Sequence, residues 1–307
     1  MTIALISYED GDRVLDWPGV ARAIAEGHDH PKGQVNDLFL YRGAETLLNR
    51  TAWIDGLGIA AKIATVFPGN AAQGKPTIGG AVNLCSDEDG QLQAVLDFHL
   101  VTKWKTVGDS LLAAMRLARP ESRNILIVGA GNIGRSLHDA YATAFPGARF
   151  AVWNRSPAGA ERFAADRPGT AIAADLETAV RAADIITCAT MSTEPLVRGD
   201  WLRPGQHVDL IGAYTRDMRE SDDAAVARSR VFVDSFDTTI DHIGDLTAPL
   251  ASGAIGRDHI LADFYDLASF RRHDDAEITL FKNGGGAHLD LMVSRHILGA
   301  WQAAARG

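Results

Sequence analysis

A buried strand that leads into a glycine-rich turn and then a helix constrains the fold of this chain more than any other feature. Residues 124–134 read Asn-Ile-Leu-Ile-Val-Gly-Ala-Gly-Asn-Ile-Gly, and their aliphatic run is typical of a parallel strand covered on both faces. Leu137, Tyr141 and Phe145 follow at the spacing of an amphipathic helix. This order of strand, turn and helix predicts an α/β fold with a doubly wound, Rossmann-type sheet.

The glycines of the turn form a Gly-x-Gly-x-x-Gly pattern in which each position has a physical task. Gly129 permits the tight turn, Gly131 lets backbone N–H groups approach a pyrophosphate, and Gly134 lets the helix pack closely on the strand. The helix N-terminus that follows favours negative charge. A glycine turn without a ligand is the alternative, but the flanking strand and helix favour a dinucleotide. The predicted cofactor-binding residues of the turn are Gly129, Ala130, Gly131, Asn132, Ile133 and Gly134.

The end of the next predicted strand, at residues 148–153, indicates which dinucleotide binds. An NAD site usually has an acidic residue here, which accepts a hydrogen bond from the ribose 2′-hydroxyl. This chain has Asn154, Arg155 and Ser156 instead, a set that can bind a 2′-phosphate through charge and hydrogen bonds. We therefore expect NADP(H) rather than NAD(H), unless Arg155 is only a solvated residue at a strand end.

Strands and helices alternate from residue 124 to about residue 280, which extends the doubly wound pattern. The predicted strand over 184–190 ends at Thr190 and Met191. Ligands of such sheets bind beyond the carboxyl ends of the strands, so both residues are predicted to line the cofactor site. Residues 118–286 are thus predicted to form the NAD(P)-binding domain.

The first part of the chain has a different pattern of predicted strands and helices. Its predicted elements are strands over 38–41, 52–54 and 59–67, a hairpin over 81–97, and a helix over 109–117. A long helix is predicted from residue 287 to about residue 304. We expect residues 1–117, together with residues 287–307, to form a mixed α+β domain for substrate binding and dimerisation. An exposed sheet has to be covered by another element or by a second subunit.

One lysine stands out within these strands. Lys62 is the only charged residue of the predicted strand 59–67. Burial of an unpaired ammonium is costly, so Lys62 must either reach solvent or face an anion. We favour the second arrangement, in which Lys62 receives the carboxylate of a small-molecule substrate.

Composition excludes several classes of partner and site. The net charge of −9 argues against nucleic acid or an anionic membrane, and no run of about 18 apolar residues predicts a membrane span. The N-terminus lacks a signal-peptide pattern and the two cysteines form no Cys-x-x-Cys, so we expect a reduced, cytoplasmic protein. His28 and His30 lack a third ligand at suitable spacing, so no metal site is predicted.

The chain resembles the ornithine cyclodeaminase/μ-crystallin family over nearly its whole length. The matching segments are 58–62 with 67–70, 102–106, 127–131, 214–220, and 280–282 with Asp290. The resemblance implies a homodimer with a substrate domain and a Rossmann domain. The family includes cyclodeaminases, alanine dehydrogenase and ketimine reductases, and Asn154-Arg155-Ser156 is similar to the strand end of its NADPH-using members.

Two differences from the family's motifs argue against ornithine cyclodeamination. Lys105 stands where the family has an arginine, which keeps the charge but loses the bidentate fork for a carboxylate. Tyr214 stands where the cyclodeaminases have an aspartate that is thought to act on the amine, and a tyrosine can donate a hydrogen bond but is no carboxylate base. A further family arginine, expected near residues 32–42, has only Lys32 and Arg42 as candidates.

The sequence therefore predicts an NADPH-dependent reductase of 2-imino acids, such as 1-pyrroline-2-carboxylate, 1-piperideine-2-carboxylate or a linear imino acid. Lys62 is expected to bind the substrate and to deliver a proton, with Tyr214 as a second catalytic donor. The resemblance implies that Lys105 and Asp290 complete the substrate site. The alternatives are a cyclodeaminase-type lyase, an amino-acid dehydrogenase, and a non-catalytic NADP-binding protein like μ-crystallin.

Overall fold

A computed structural model of the chain describes residues 3–306. Its contacts divide the described residues into two compact units, the first formed by residues 3–108 with 286–306 and the second by residues 109–285. The predicted boundary, after residue 117, is the end of a helix rather than a linker. That helix, Phe98–Leu117, begins in the first unit and ends in the second.

The helices and strands follow one another in the expected alternation. In chain order they are β1 (Ala4–Ile6), α1 (Tyr8–Asp12), α2 (Trp17–Gly27), β2 (Gln34–Arg42), β3 (Glu45–Ile54), β4 (Gly58–Val66), β5 (Ile78–Cys85), β6 (Leu92–Asp97), α3 (Phe98–Leu117), β7 (Asn124–Val128), α4 (Asn132–Ala144), β8 (Arg149–Trp153), α5 (Pro157–Asp166), β9 (Ala171–Ile172), α6 (Leu176–Ala182), β10 (Ile185–Cys188), β11 (His207–Leu210), α7 (Asp223–Ala227), β12 (Arg230–Val233), α8 (Phe236–Thr239), α9 (Gly244–Ser252), β13 (Ile260–Ala262), β14 (Thr279–Lys282) and α10 (Ala287–Ala304). Short 3₁₀ turns lie at Pro68–Gln73, Gly199–Trp201, Arg257–His259 and Phe264–Ser269.

The first unit contains a six-stranded mixed sheet in the order β1-β6-β5-β4-β3-β2, in which only β1 and β6 pair in parallel. Helix α10 packs on β3, β4 and β5, and α2 packs on α10. Alternation along β4 buries Ala60, Lys62 and Ala64 on the face that α10 covers. The opposite face carries exposed apolar side chains, among them Leu40 and Ile63.

Two predictions for this unit were wrong in extent. The hairpin β2–β3 is much longer than the short strands predicted, because polar residues such as Asp37 and Arg50 interrupt the apolar alternation of an exposed hairpin. Helix α3 begins at Phe98, not at residue 109. Residues 102–106 have weak intrinsic helix propensity, and the helix is stabilised there by burial of Val101 and Trp104.

The second unit contains an eight-stranded, wholly parallel sheet in the order β13-β12-β14-β11-β10-β7-β8-β9. The predicted doubly wound α/β fold is therefore confirmed. Strand β7 lies between β8 and β10. The chain adds β8 and β9 on one side of β7, and it then adds β10 and the later strands on the other side. A sheet of this kind binds ligands at that switch point, beyond the carboxyl ends of the strands.

A buried carboxylate connects several elements of the second unit. Asp209 on β11 accepts hydrogen bonds from the hydroxyls of Ser110 (3.0 Å), Tyr141 (2.8 Å) and Thr187 (2.9 Å), which lie on α3, α4 and β10. Burial raises the pKa of Asp209 to about 6, and the three donors oppose that shift. The hydrogen bonds hold α4, the helix after the glycine turn, in a fixed place on the sheet.

Candidate functional site

The glycine turn between β7 and α4 has a conformation that side chains would prevent. Gly129 has φ of +110°, and a Cβ there would lie 2.6 Å from the carbonyl oxygen of Ala189. A Cβ at Gly134 would lie 2.2 Å from the carbonyl oxygen of Gly129. A Cβ at Gly131 would meet no atom of the described residues within 4 Å, and none of their side chains caps the α4 N-terminus there. The turn thus leaves a cradle beside uncapped N–H groups, which fits a pyrophosphate.

Of the three residues after β8, Asn154 supports the glycine turn, whereas Arg155 and Ser156 are exposed. The Asn154 side chain accepts a hydrogen bond from the backbone N–H of Ala130 (3.1 Å) and donates one to the carbonyl of Ser156 (2.9 Å). Asn154 is thus a positioning residue for the turn, in addition to any contact it makes with a ligand. Arg155 and Ser156 are exposed, and Ser156 is the N-cap residue of α5.

A glutamate whose role the sequence did not predict fixes the ends of β10 and β11. Glu220 accepts hydrogen bonds from the backbone N–H of Thr190 (2.7 Å), the Thr190 hydroxyl (2.8 Å) and the backbone N–H of Gly212 (2.7 Å). Burial raises the pKa of Glu220 to about 7, although Lys282 opposes the shift. Glu220 thereby positions the strand end at which Met191 is exposed. In the sequence, Glu220 was indicated only by its position in the segment 214–220, which matches a motif of the family.

Tyr214 lies in the second unit, after the carboxyl end of β11, and its side chain is exposed. The predicted substrate-binding residues Lys62, Lys105 and Asp290 all lie in the first unit. The structure therefore brings those three together, whereas Tyr214 belongs to the unit that contains the predicted cofactor-binding residues. A catalytic role for Tyr214 stays a prediction.

Lys62 is buried and paired. Its ammonium donates a hydrogen bond to Asp290 Oδ1 at 2.7 Å and lies 5.3 Å from the centre of the Phe98 ring. Burial lowers the pKa of Lys62 to about 8; Asp290 opposes the shift, and the charge of Lys105 adds to it. An ammonium with this pKa is charged at neutral pH and gives up its proton more readily than an exposed lysine.

Two further features of these residues favour a bound anion. Lys105 is 5% exposed, and within residues 3–306 its ammonium forms no hydrogen bond or ion pair. Asp290 Oδ2 is buried and accepts no hydrogen bond from the described residues. Burial raises the pKa of Asp290, but Lys62 and Lys105 outweigh that effect and hold it below its usual value. A lysine that is largely buried and forms no ion pair with the described residues, beside a buried lysine–aspartate pair, favours a bound carboxylate.

Arg50 is a member of this cluster that the sequence analysis missed. It lies directly across from Lys62 in the pairing of β3 with β4, and its charge helps to lower the pKa of Lys62. Knowledge of the strand register would have identified it. Arg42, which the sequence offered as a candidate, is exposed at the end of β2 and pairs with Glu45.

A buried histidine borders the cluster. His288 on α10 packs edge-on against His28, with 5.5 Å between ring centres. Burial lowers the pKa of His288 well below its ordinary value, and His28 and Lys105 add to the effect. His288 is therefore neutral at physiological pH and adds no charge to the cluster.

Residues 3–306 hold no group of three or more His, Cys, Asp or Glu side chains placed to bind a metal ion. None of the described helices has both the length and the apolar character needed to cross a bilayer.

Comparison with known proteins agrees with this arrangement of a nucleotide turn and a lysine cluster. A sequence profile of the ornithine cyclodeaminase/mu-crystallin family matches residues 55–304. The Delta(1)-pyrroline-2-carboxylate reductase of Paracoccus denitrificans is 49% identical over 300 residues, which cover 95% of each chain. Ketimine reductase mu-crystallin of Mus musculus is 30% identical, over 80% of this chain and 77% of its own length.

A solved structure shows the same architecture over the full length. The Delta(1)-pyrroline-2-carboxylate reductase of Thermococcus litoralis, in complex with NADH and L-proline, superposes with a TM-score of 0.89 at 25% identity, covering 99% of this chain and 98% of its own. These relatives are oxidoreductases that act on C=N bonds. The resemblance found in the sequence is therefore confirmed, and the chain belongs to the ornithine cyclodeaminase/mu-crystallin family.

Proposed function

We propose that this protein is an NADPH-dependent reductase of cyclic 2-imino acids, with 1-pyrroline-2-carboxylate as the preferred substrate. The observation that carries the proposal is the buried Lys62–Asp290 pair beside Lys105, which forms no ion pair with the described residues. Such a site accepts a carboxylate and holds a proton next to it. The names of the Paracoccus and Thermococcus relatives support the choice of imine.

The residues of the first unit have complementary tasks in this reaction. Lys105 binds the substrate carboxylate as a point charge. Lys62, held by Asp290 at 2.7 Å, donates a proton to the imine nitrogen as that atom becomes an amine. The reduced nicotinamide, when bound, supplies the hydride that the imine carbon accepts. Asp290 stays ionised and keeps the Lys62 ammonium oriented toward the substrate.

The glycine turn and its supports hold the nucleotide in this proposal. Gly129, Gly131 and Gly134 bind the pyrophosphate, and Asn154 holds the turn in place. Thr190 and Met191 line the nicotinamide side, where Glu220 fixes the backbone of Thr190. The exposed Arg155, at a strand end without an acidic residue, favours a 2′-phosphate and hence NADP(H) over NAD(H).

Replacing Arg155 with alanine is expected to raise the KM for NADPH about 10- to 100-fold, because a hydrogen-bonded charge contact contributes about 1.5–3 kcal/mol. The KM for NADH is expected to change less than about threefold. Steady-state kinetics with both nucleotides measures the ratio, and Arg162→Ala on the exposed side of α5 is the control. An equal loss with NADPH and NADH would contradict the assignment of the 2′-phosphate to Arg155.

Loss of absorbance at 340 nm tests the proposed reaction. The purified protein is given NADPH or NADH with 1-pyrroline-2-carboxylate, 1-piperideine-2-carboxylate, and pyruvate with ammonia or methylamine. We expect the highest kcat/KM with the five-membered cyclic imine and NADPH. Release of ammonia from ornithine without imine reduction would instead indicate a cyclodeaminase, and turnover of none of the imines would contradict the proposal.

A homodimer formed through the first unit is part of the proposal. The face of the sheet opposite α10 carries Leu38, Leu40, Trp53 and Ile63, which are between 39% and 55% exposed. An apolar face of this kind, next to the long edge strand β2, is typical of a subunit interface. We also propose a reducing, cytoplasmic compartment, since Cys85 and Cys188 are both free thiols.

Replacing Leu40 with aspartate is expected to convert the dimer to a monomer, because the interface would bury an unpaired carboxylate. Light scattering after gel filtration measures the mass. Ile172→Asp changes an aliphatic residue of comparable exposure on β9 of the second unit; it is the control and is expected to leave the dimer intact. A Leu40→Asp protein that elutes as the wild type does would place the interface elsewhere.

A further inference from the structure

A row of charged side chains crosses the sheet of the first unit. Asp37, Arg50 and Lys62 are directly opposed residues on β2, β3 and β4. Directly opposed residues of antiparallel strands point to the same face, with Cβ atoms about 5 Å apart. The row therefore lies on the face where Asp290 of α10 contacts Lys62.

Two cations of this cluster each have a carboxylate partner. Arg50 donates to Asp37 through Nε to Oδ1 at 3.1 Å and through Nη2 to Oδ2 at 2.6 Å, a bidentate arrangement. Lys62 is matched by Asp290 at 2.7 Å.

The third cation has no such partner. Lys105 is buried and forms no ion pair with the described residues, yet its charge acts on both Lys62 and Asp290. Of Arg50, Lys62 and Lys105, the first two thus contact a carboxylate, and Lys105 is left for the carboxylate of a ligand.

We infer that the Asp37–Arg50 pair restricts this site to imino acids with a single carboxylate. The inference rests on the proposed function, since it concerns the same substrate site. A monocarboxylate neutralises Lys105, whereas a second carboxylate finds Arg50 already matched by Asp37 and carries an uncompensated charge into a partly desolvated site. Asp37 is therefore a specificity-determining residue that acts through Arg50.

Binding of two unreactive ring acids tests this inference. Pyrrole-2-carboxylate and pyrrole-2,5-dicarboxylate differ by one carboxylate, and calorimetry measures their Kd values. The wild type is expected to prefer the monoacid. Asp37→Asn removes the carboxylate that Arg50 contacts, so the affinity for the diacid is expected to rise about 10- to 100-fold with little change for the monoacid.

Matched variants separate this effect from a general change of charge. Glu45→Gln releases Arg42, an exposed arginine on the same hairpin, and is expected to leave the ratio of the two Kd values unchanged. Asp37→Asn combined with Arg50→Gln is expected to abolish the gain for the diacid. Thermal melting of each variant shows whether the hairpin is still folded.

The outcomes distinguish the inference from the proposed function. A diacid that binds the wild type as well as the monoacid does, an unchanged ratio in Asp37→Asn, or failure of both acids to bind would each overturn the inference. A wild type that does not oxidise NADPH with 1-pyrroline-2-carboxylate, yet shows the shifted ratio in Asp37→Asn, would refute the proposed reaction and leave charge selection supported.

Discussion

Replacing Lys62 with glutamine is expected to lower kcat for imine reduction about 100- to 10,000-fold, the contribution that a positioned acid makes. Glutamine is of similar length and can still donate a hydrogen bond to Asp290, but it has no proton to give to the imine nitrogen. The Kd for NADPH is expected to stay within about twofold, because the predicted nucleotide residues belong to the second unit. Stopped-flow or steady-state absorbance at 340 nm measures the rate.

Lys103→Gln is the matched control for this substitution. Lys103 is also a lysine of the first unit that pairs with an aspartate, Asp12, but it is not among the residues that shift the pKa of Lys62. We expect wild-type kcat from this variant. A Lys62→Gln protein that retains more than about a tenth of wild-type kcat would remove Lys62 from the role of proton donor.

The pH dependence of the wild type gives a second test of the same residue. The pKa of Lys62 is about 8, so its ammonium is present below that pH and is lost above it. If Lys62 is the acid, kcat/KM is expected to be level on the acidic side and to fall about tenfold per pH unit on the alkaline side. A profile without this alkaline limb, measured with the imine's own ionisation corrected, would indicate another donor.

Glycine substitutions in the nucleotide turn are expected to have the second largest effect. At Gly134 a methyl group would lie 2.2 Å from the backbone oxygen of Gly129, which cannot move without the strand. We expect Gly134→Ala to weaken NADPH binding more than about 100-fold and to lower the melting temperature, since forced overpacking costs about 1–3 kcal/mol or more.

Gly131→Ala separates binding from folding. A methyl group there meets no protein atom within 4 Å, but it projects into the cradle that the pyrophosphate is proposed to fill. We therefore expect a wild-type melting temperature and a Kd for NADPH raised about 10- to 100-fold. Gly299→Ala on α10, which also meets open space, is the control. Unchanged NADPH binding in both turn variants would show that the nucleotide lies elsewhere.

What the sequence predicted well was local. The strand, turn and helix at residues 124–144 are set by an apolar run, three glycines and helical spacing, all within one stretch of chain, and the structure has each of them. Helix α10 was likewise predicted with its observed bounds. The beginning of α3 was missed because tertiary packing there overrides weak propensity.

What the sequence could not show was long-range pairing. Lys62 and Asp290 are 228 positions apart, and only the resemblance to a family connected them before the fold was known. Arg50 joins the cluster through strand register, which a hydrophobic pattern cannot fix on an exposed hairpin. Asn154 was expected at the cofactor phosphate, whereas its side chain also holds the turn through Ala130.

Transfer of deuterium from nicotinamide C4 tests the central claim most directly. The wild-type protein is incubated with 4-deuterated NADPH, in both stereochemical forms, and 1-pyrroline-2-carboxylate, and the product is analysed by mass spectrometry and NMR. We expect proline that carries one deuterium at Cα from one of the two forms. Absence of proline, or proline with no deuterium at Cα, would contradict the account.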